Sequence, residues 1–154
     1  MRYKILLTWI FVLLSIGSCQ RSDQLGEDPK SRLQDYISKS FSVRGMEDRA
    51  VLAGYLTGEA KKRLYAWSED QFREAFIDSK RNFVKMVIHE IKSITPDEKQ
   101  ITYEITYIDQ GRGHDAKVTS KKMCQMNQEK SRWYISNVKN VKELVEYKNE
   151  LSLP

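Results

Sequence analysis

The chain has 154 residues and a formal net charge of +5 at pH 7, from 26 lysines and arginines against 21 aspartates and glutamates. This length suits one domain of ordinary size. The cations form short runs that acidic residues separate, such as Lys61-Lys62-Arg63 and Lys121-Lys122, and they do not gather into one basic stripe. Nucleic acid is therefore not expected as a partner.

The first twenty residues have the order of a secretory signal peptide. Arg2 and Lys4 precede an apolar run, which small residues and Cys19 follow. The segment Ile16-Gly17-Ser18-Cys19 resembles the lipobox of bacterial lipoproteins. That resemblance implies cleavage between Ser18 and Cys19 and attachment of a diacylglycerol to the Cys19 thiol. The alternatives are a plain secretory signal and a membrane-spanning anchor, although the apolar run is short of the about 20 residues that a transmembrane helix needs.

The residue after Cys19 helps to predict the membrane in which the protein is anchored. In lipoproteins of Gram-negative cells an aspartate at this position tends to retain the protein at the inner membrane, and here the residue is Gln20. The resemblance therefore implies the outer membrane, facing the periplasm, in such a cell. In a cell with one membrane it implies the extracytoplasmic face.

The predicted organisation is simple. Residues 1–18 are the signal peptide, 19–29 are a lipidated tether, and 30–154 are a single domain. Lipidation of Cys19 leaves Cys124 without an intrachain disulfide partner. We therefore expect Cys124 to be a small buried apolar side chain.

Helix signals occupy the first half of the domain. Asp28-Pro29 is a cap residue followed by proline at the first helical position, and it predicts an amphipathic helix that runs to about Ser40. Weaker helical periodicity follows over residues 46–55 and 59–67. Ser68-Glu69-Asp70-Gln71 is a capping box, and the helix that it starts is predicted to continue to Ser79.

From residue 82 the hydrophobic period changes to that of strands. Isoleucine and tyrosine alternate with threonine and glutamate from Ile101 to Tyr107, which predicts a half-buried strand. Further strands are predicted over 83–91, 116–126 and 132–138, and residues 141–147 fit either a short closing helix or a strand extension. Helices followed by hairpin-connected strands predict an α+β fold, with the N-terminal helices packed on a four-stranded, mostly antiparallel sheet.

This order of elements, together with Trp133-Tyr134-Ile135, resembles the cystatin-like cone of the nuclear transport factor 2-like superfamily. The segment Tyr55-Leu56-Thr57-Gly58-Glu59-Ala60 lies where such domains often have their second helix, and the resemblance covers residues 29–138. It implies a curved sheet and a pocket at the mouth of the cone. Some members of the superfamily are isomerases or dehydratases, and many bind ligands or partner proteins.

Four side chains are candidates for the lining of such a pocket: Tyr103, Tyr107, Trp133 and His89. The alternative is that the aromatic residues form only the core of a small sheet. His89 is expected to share a strand face with Phe83, Val87 and Ile91, where a structural histidine is more common than a catalytic one.

A second histidine lies in the loop between the second and third predicted strands. His114 has Asp109 and Asp115 beside it, and these three residues could hold a metal ion. No second histidine or thiolate has the spacing of a metal site, so a solvated turn is favoured.

The chain has no Gly-rich phosphate loop, no nucleophile elbow and no paired-cysteine motif. We therefore expect no catalysis, no cofactor and no metal. The expected function is a lipid-anchored module of the cell envelope that binds a small apolar ligand or an envelope protein. The alternatives are a small isomerase- or dehydratase-like pocket enzyme that uses His89 or Glu90, and an immunity or entry-exclusion lipoprotein with a specific protein partner.

Overall fold

The computed structural model describes residues 28–112 and 116–147. The helical elements are α1 (Pro29–Phe41), α2 (Asp48–Ala53), α3 (Gly58–Ala66), α4 (Glu69–Phe72), a π-helical turn (Arg73–Ile77) and a 3-10 turn (Gln110–Arg112). The strands are β1 (Arg81–Thr95), β2 (Glu98–Asp109), β3 (Ala116–Glu129) and β4 (Arg132–Glu146). The predicted signal peptide and lipid-attachment residue, together with His114 and Asp115, lie outside the described residues.

The four strands form one antiparallel sheet in the order β1-β2-β3-β4, each strand paired with its neighbour in sequence. The helices precede the sheet in the chain, so the predicted α+β class is confirmed. The segment over 141–147, for which helix and strand were both open, continues β4 as far as Glu146. No helix within the described ranges is both long enough and apolar enough to cross a membrane.

The start of α1 follows the prediction. The Asp28 carboxylate accepts a hydrogen bond from the Ser31 amide, and Pro29 occupies the first turn, where its missing N–H costs nothing. Leu33 and Ile37, four residues apart on one side of α1, are buried against the sheet.

The predicted capping box is also present. The Ser68 hydroxyl accepts from the Gln71 amide at 3.1 Å, and the Gln71 side-chain oxygen accepts from the Ser68 amide at 2.9 Å. The prediction of one continuous α-helix to Ser79 is wrong, because the chain widens into the π-helical turn after Phe72. Phe76, in that turn, contacts the rings of both Phe72 and Trp67, so the wider turn accompanies a packed aromatic cluster.

One face of the sheet packs against the helices, and we call it the helix-facing side. On β2 the buried side chains on this side are Ile101, Tyr103, Ile105 and Tyr107, which confirms the predicted alternation. The neighbouring strand β3 contributes Val118, Cys124 and Met126 to the same core. We call the opposite face the outer side.

A short parallel bridge ties the helical layer to the sheet. Leu56, between α2 and α3, pairs with Ile135 of β4. The Ile135 amide donates to the Tyr55 carbonyl, and the Thr57 amide donates to the Ile135 carbonyl, both at 2.9 Å. Gly58 follows with φ of +50°, a conformation that glycine adopts at least cost.

Candidate functional site

A cavity of about 210 Å³ lies between α1, the π-helical turn and the helix-facing side of the sheet. We call it the central cavity. Its walls combine aromatic and aliphatic side chains with a few polar groups. The described lining residues are Tyr36, Ile37, Ser40, Phe41, Ala75, Phe76, Ser79, Arg81, Tyr103, Ile105, Tyr107, Lys122 and Val138.

The position of the cavity follows from local structure. Strand alternation brings Tyr103, Ile105 and Tyr107 to the helix-facing side of β2, and helical periodicity brings Tyr36 and Ile37 to the facing side of α1. Because the π-helical turn crosses the remaining gap, its side chains complete the wall.

Two tyrosines supply phenol groups to the cavity. Burial raises the pKa of Tyr36 to about 12 and the pKa of Tyr103 well above its ordinary value. Both hydroxyls therefore stay protonated at neutral pH. Within the described part of the chain neither hydroxyl has a hydrogen-bond partner, although Tyr103 is only 1% exposed. A hydroxyl that lacks a protein partner is free to form a hydrogen bond with a ligand or water in the cavity.

Lys122 places an ammonium group in this mostly apolar wall. Its Nζ donates a hydrogen bond to the Asn140 side-chain oxygen at 2.6 Å. Burial lowers the pKa of Lys122, and the nearby Glu143 carboxylate acts in the opposite direction. Glu143 itself forms a 2.7 Å ion pair with Arg112, so its charge is already compensated.

The charges around the cavity are one-sided. Arg81 and Lys122 are cations, and none of the described lining residues is a histidine or a carboxylate. Arg81 forms an ion pair with the nearly buried Asp109 at 3.5 Å. Lys122 therefore remains the lining cation whose hydrogen-bond partner is a neutral group.

The central cavity adjoins larger and more open spaces. One, of about 720 Å³, lies beside α3 and shares Tyr36, Phe76, Lys122 and Val138 with it. Another, of about 650 Å³, lies beside α4 and shares Ala75, Ser79 and Arg81. A further one, of about 410 Å³, lies between α1 and β1 and shares Ile37 and Phe41. Lys122 thus stands where the apolar interior meets one of the openings.

His89 lies on the outer side of the sheet, away from the central cavity. Its Nε2 is 3.7 Å from the Glu104 carboxylate, and its side chain is 41% exposed. The prediction that it shares a face with Phe83 and Ile91 is wrong, because register shifts after Phe83 and after Ile88 interrupt the alternation of β1. Of the expected neighbours, Val87, which pairs with Glu104, is on the same side.

The other predicted site residues divide between two places. Tyr103 and Tyr107 line the central cavity, as placed by strand alternation. Trp133 is buried in the core, where its carbonyl accepts a hydrogen bond from Arg32 Nε at 3.2 Å and Lys99 Nζ lies 5.5 Å from its ring centre. Glu90 pairs with Thr102 on the outer side.

At the end of β2, the carboxylate of the predicted acidic loop that the structure describes has ion-pair partners. Asp109 lies 3.5 Å from Arg81 and 3.4 Å from Arg112, and it also accepts a hydrogen bond from the Gly111 amide. Its suggested metal partners, His114 and Asp115, are outside the described residues. No group of three histidine, cysteine, aspartate or glutamate side chains is placed to hold a metal among those that are described.

Tyr36, Arg81 and Lys122 also line the cavity, and none of them is among the residues predicted from the sequence. In the sequence, Lys122 belongs with Lys121 to a short cationic run. The alternation of β3 contained the missing signal, because Lys122 has the same parity as the buried Val118 and Cys124.

Comparison with known proteins finds similarities to solved structures. A SEC-C motif containing protein from Rhodopseudomonas palustris aligns with a TM-score of 0.49 and 15% identity, over 73% of this chain and 75% of that one. The intermembrane space region of the chloroplast protein ARC6 aligns with a TM-score of 0.49 and 14% identity, over 73% of this chain and 95% of that one. No family model matches the chain, and no curated protein matches it.

Proposed function

We propose that this protein is a lipid-anchored lipoprotein of the cell envelope whose α+β domain, a cystatin-like cone, binds a small ligand without catalysis. The segment Ile16-Gly17-Ser18-Cys19 supports the anchor, with the lipid on Cys19. Two or more acyl chains hold a protein stably at a membrane, because each buried methylene contributes about 0.8 kcal/mol. In a Gram-negative cell the domain would face the periplasm from the outer membrane.

The observation that carries the binding function is the central cavity. It is walled by aromatic rings and contains the Tyr103 hydroxyl, which has no partner among the described residues, and a mostly apolar wall with a few polar groups is the usual composition of a small-molecule site. General acid–base catalysis most often uses histidine or a carboxylate. Both groups considered for catalysis, His89 and Glu90, are on the outer side of the sheet.

The anchor is tested by Cys19→Ser, with Cys124→Ala as the matched cysteine control. We expect Cys19→Ser to accumulate as an unprocessed precursor without acyl chains, and Cys124→Ala to be processed and acylated like the wild type. Intact-mass spectrometry and membrane fractionation measure both. Acylation of the Cys19→Ser variant, or a wild-type chain that carries no fatty acid, would contradict the anchor.

The binding site is tested with a neutral aromatic probe, 2-naphthamide, titrated calorimetrically into the full-length protein in phosphatidylcholine nanodiscs. Ala75→Leu adds bulk to the cavity wall and should weaken binding at least about tenfold, whereas Arg73→Leu, at an exposed position of the same turn, should change it less than about twofold. Equal heats in loaded and empty nanodiscs, with 2-naphthamide and with its acid analogue 2-naphthoate alike, would contradict the binding function.

A further inference from the structure

We propose that the ligand of the central cavity is a small apolar acid, bound with its anionic group at Lys122 and its apolar body between Tyr36 and Tyr103. This inference rests on the proposed binding function and specifies the ligand's chemistry. It follows from charge, unused hydrogen-bond donors, and the size and shape of the space.

Of the two described cations that line the cavity, Lys122 is the one available to pair with an anionic ligand. The Arg81 guanidinium has the Asp109 carboxylate beside it, so its charge is locally balanced. Among the described residues, Lys122 has the neutral Asn140 oxygen as its hydrogen-bond partner, and the nearby Glu143 carboxylate is paired with Arg112. A half-buried ammonium group without an ion-pair partner in the described part of the chain attracts an anion more strongly than a fully solvated one, because water screens it less.

The cavity also has hydrogen-bond donors that lack acceptors among the described residues. An ammonium group has three N–H donors, and Lys122 directs one of them to Asn140. The hydroxyls of Tyr36 and Tyr103 add two donors that have no partner among the described residues. A carboxylate can accept from an ammonium and a phenol together, and bonds to a charged acceptor are stronger than those between neutral groups. Burial keeps the pKa of both tyrosines high, so both protons remain available.

The cavity volume limits the size of the ligand's apolar part. The cavity volume of about 210 Å³ equals roughly seven molecules of liquid water and is below the range of about 300–1,000 Å³ for drug-sized ligands. Its apolar wall includes Phe41, Phe76 and Ile105. A single ring system or a short alkyl chain fits this volume.

The orientation follows from where Lys122 stands. It lines both the central cavity and the opening of about 720 Å³ beside α3, together with Val138 and Phe76. An acid that enters from this side can leave its charged end at the boundary, where water still reaches it. Its apolar end then occupies the interior, and no charge is carried to the deepest part of the cavity.

The test compares 2-naphthoate with the neutral 2-naphthamide, by calorimetry on the full-length protein in nanodiscs. We expect the wild type to bind 2-naphthoate at least about tenfold more tightly, which is the effect of one charge-assisted hydrogen bond. Lys122→Met, which retains most of the side chain's length, should remove this preference, so that the two probes bind with similar affinity. Lys121→Met, one residue earlier and on the outer side of β3, should change neither affinity.

The possible results distinguish the acidic ligand from the proposed binding function on which it rests. Comparable binding of both probes, unaffected by Lys122→Met, would overturn the acidic ligand and leave the binding function standing. Binding of neither probe would overturn both. Tyr103→Phe removes only a hydroxyl, and an unchanged 2-naphthoate affinity in this variant would contradict a hydrogen bond from the Tyr103 hydroxyl to the ligand's carboxylate.

Discussion

Lys122 and Cys124 show how neighbouring positions on one side of a strand acquire different chemistry. Both are on the helix-facing side of β3. Lys122 reaches the edge of a cavity, whereas Cys124 is fully buried and has no disulfide partner among the described residues. Burial raises the pKa of the Cys124 thiol to about 12, so the group is an unreactive apolar side chain at neutral pH. This agrees with the expectation for Cys124 from the sequence.

The raised pKa of Cys124 predicts a loss of stability at alkaline pH. Its ordinary pKa is 9.0. Between this value and about 12, the thiol ionises in the unfolded chain but not in the folded one. The unfolded state is then favoured by up to about 1.4 kcal/mol per pH unit within that window. Below pH 9 the full stability is present.

The measurement is urea unfolding of the full-length wild type and Cys124→Ala at pH 8 and pH 10. Cys124→Ala should start from a lower free energy of unfolding, because it leaves a cavity, but should lose about 1 kcal/mol less between the two pH values. Tyr36 titrates higher and Lys122 is common to both proteins, so neither accounts for the difference. Equal losses in the two proteins would show that the thiol does not titrate as stated.

At the residue scale, two of the four candidate pocket residues line the central cavity. Tyr103 and Tyr107 follow from uninterrupted alternation along β2. His89 lies on the outer side because of irregularities in β1, and no pattern in the sequence predicts these irregularities. Lys122 was missed because a lysine in a charged run is normally solvated.

Among the elements, the β3–β4 hairpin has an unusual turn. Lys130 and Ser131 have φ values of 50° and 67°, both in the left-handed region. A two-residue hairpin turn with two positive φ values matches the twist of its strands and favours Asn-Gly. Neither residue here is glycine, so the connection retains some backbone strain.

We therefore predict that Ser131→Gly stabilises the protein. A left-handed conformation costs about 1–2 kcal/mol for an L-residue, and the extra freedom of glycine in the unfolded chain offsets about 0.5–1 kcal/mol of the gain. The free energy of unfolding should rise by about 0.5–1 kcal/mol. Ser131→Ala is the control, since it retains a Cβ atom and should give no increase. A Ser131→Gly protein no more stable than Ser131→Ala would refute the prediction.

The helix that begins at the capping box shows what element boundaries depend on. Its start is local, because Ser68 and Gln71 satisfy each other's backbone amides. Its continuation is not, because the chain changes to a π-helical turn where Phe76 meets Trp67 and Phe72. Hydrophobic periodicity does not predict tertiary packing of this kind. It therefore did not predict that this turn forms part of the wall of the central cavity.

For the molecule as a whole, the helices cover one side of the sheet, and this predicts unequal tolerance to substitution. Met126 is fully buried on the helix-facing side of β3, and Asn127 is exposed beside it. Met126→Ala should lower the free energy of unfolding by about 2–5 kcal/mol, and Asn127→Ala should change it by less than about 0.5 kcal/mol. Urea unfolding measures both. Similar costs at the two positions would contradict this one-sided core.

The fold class was predictable because its signals are local and repeated. The cap before Pro29, the change of period near residue 82 and the alternation of β2 each specify an element without long-range information. The parallel bridge from Leu56 to Ile135 was not predictable, since it joins residues far apart in the sequence and involves backbone groups.

That bridge has a consequence for how the chain matures during synthesis. The ribosome makes Tyr55 and Thr57 long before Ile135, yet the Tyr55 carbonyl and the Thr57 amide are hydrogen-bonded to β4. Arg32 Nε likewise donates to the Trp133 carbonyl of β4. The contacts of α1 and α3 with β4 therefore form only after nearly the whole domain has been translated, and a nascent chain that stalls before β4 would leave the apolar side chains of these contacts open to chaperones and proteases.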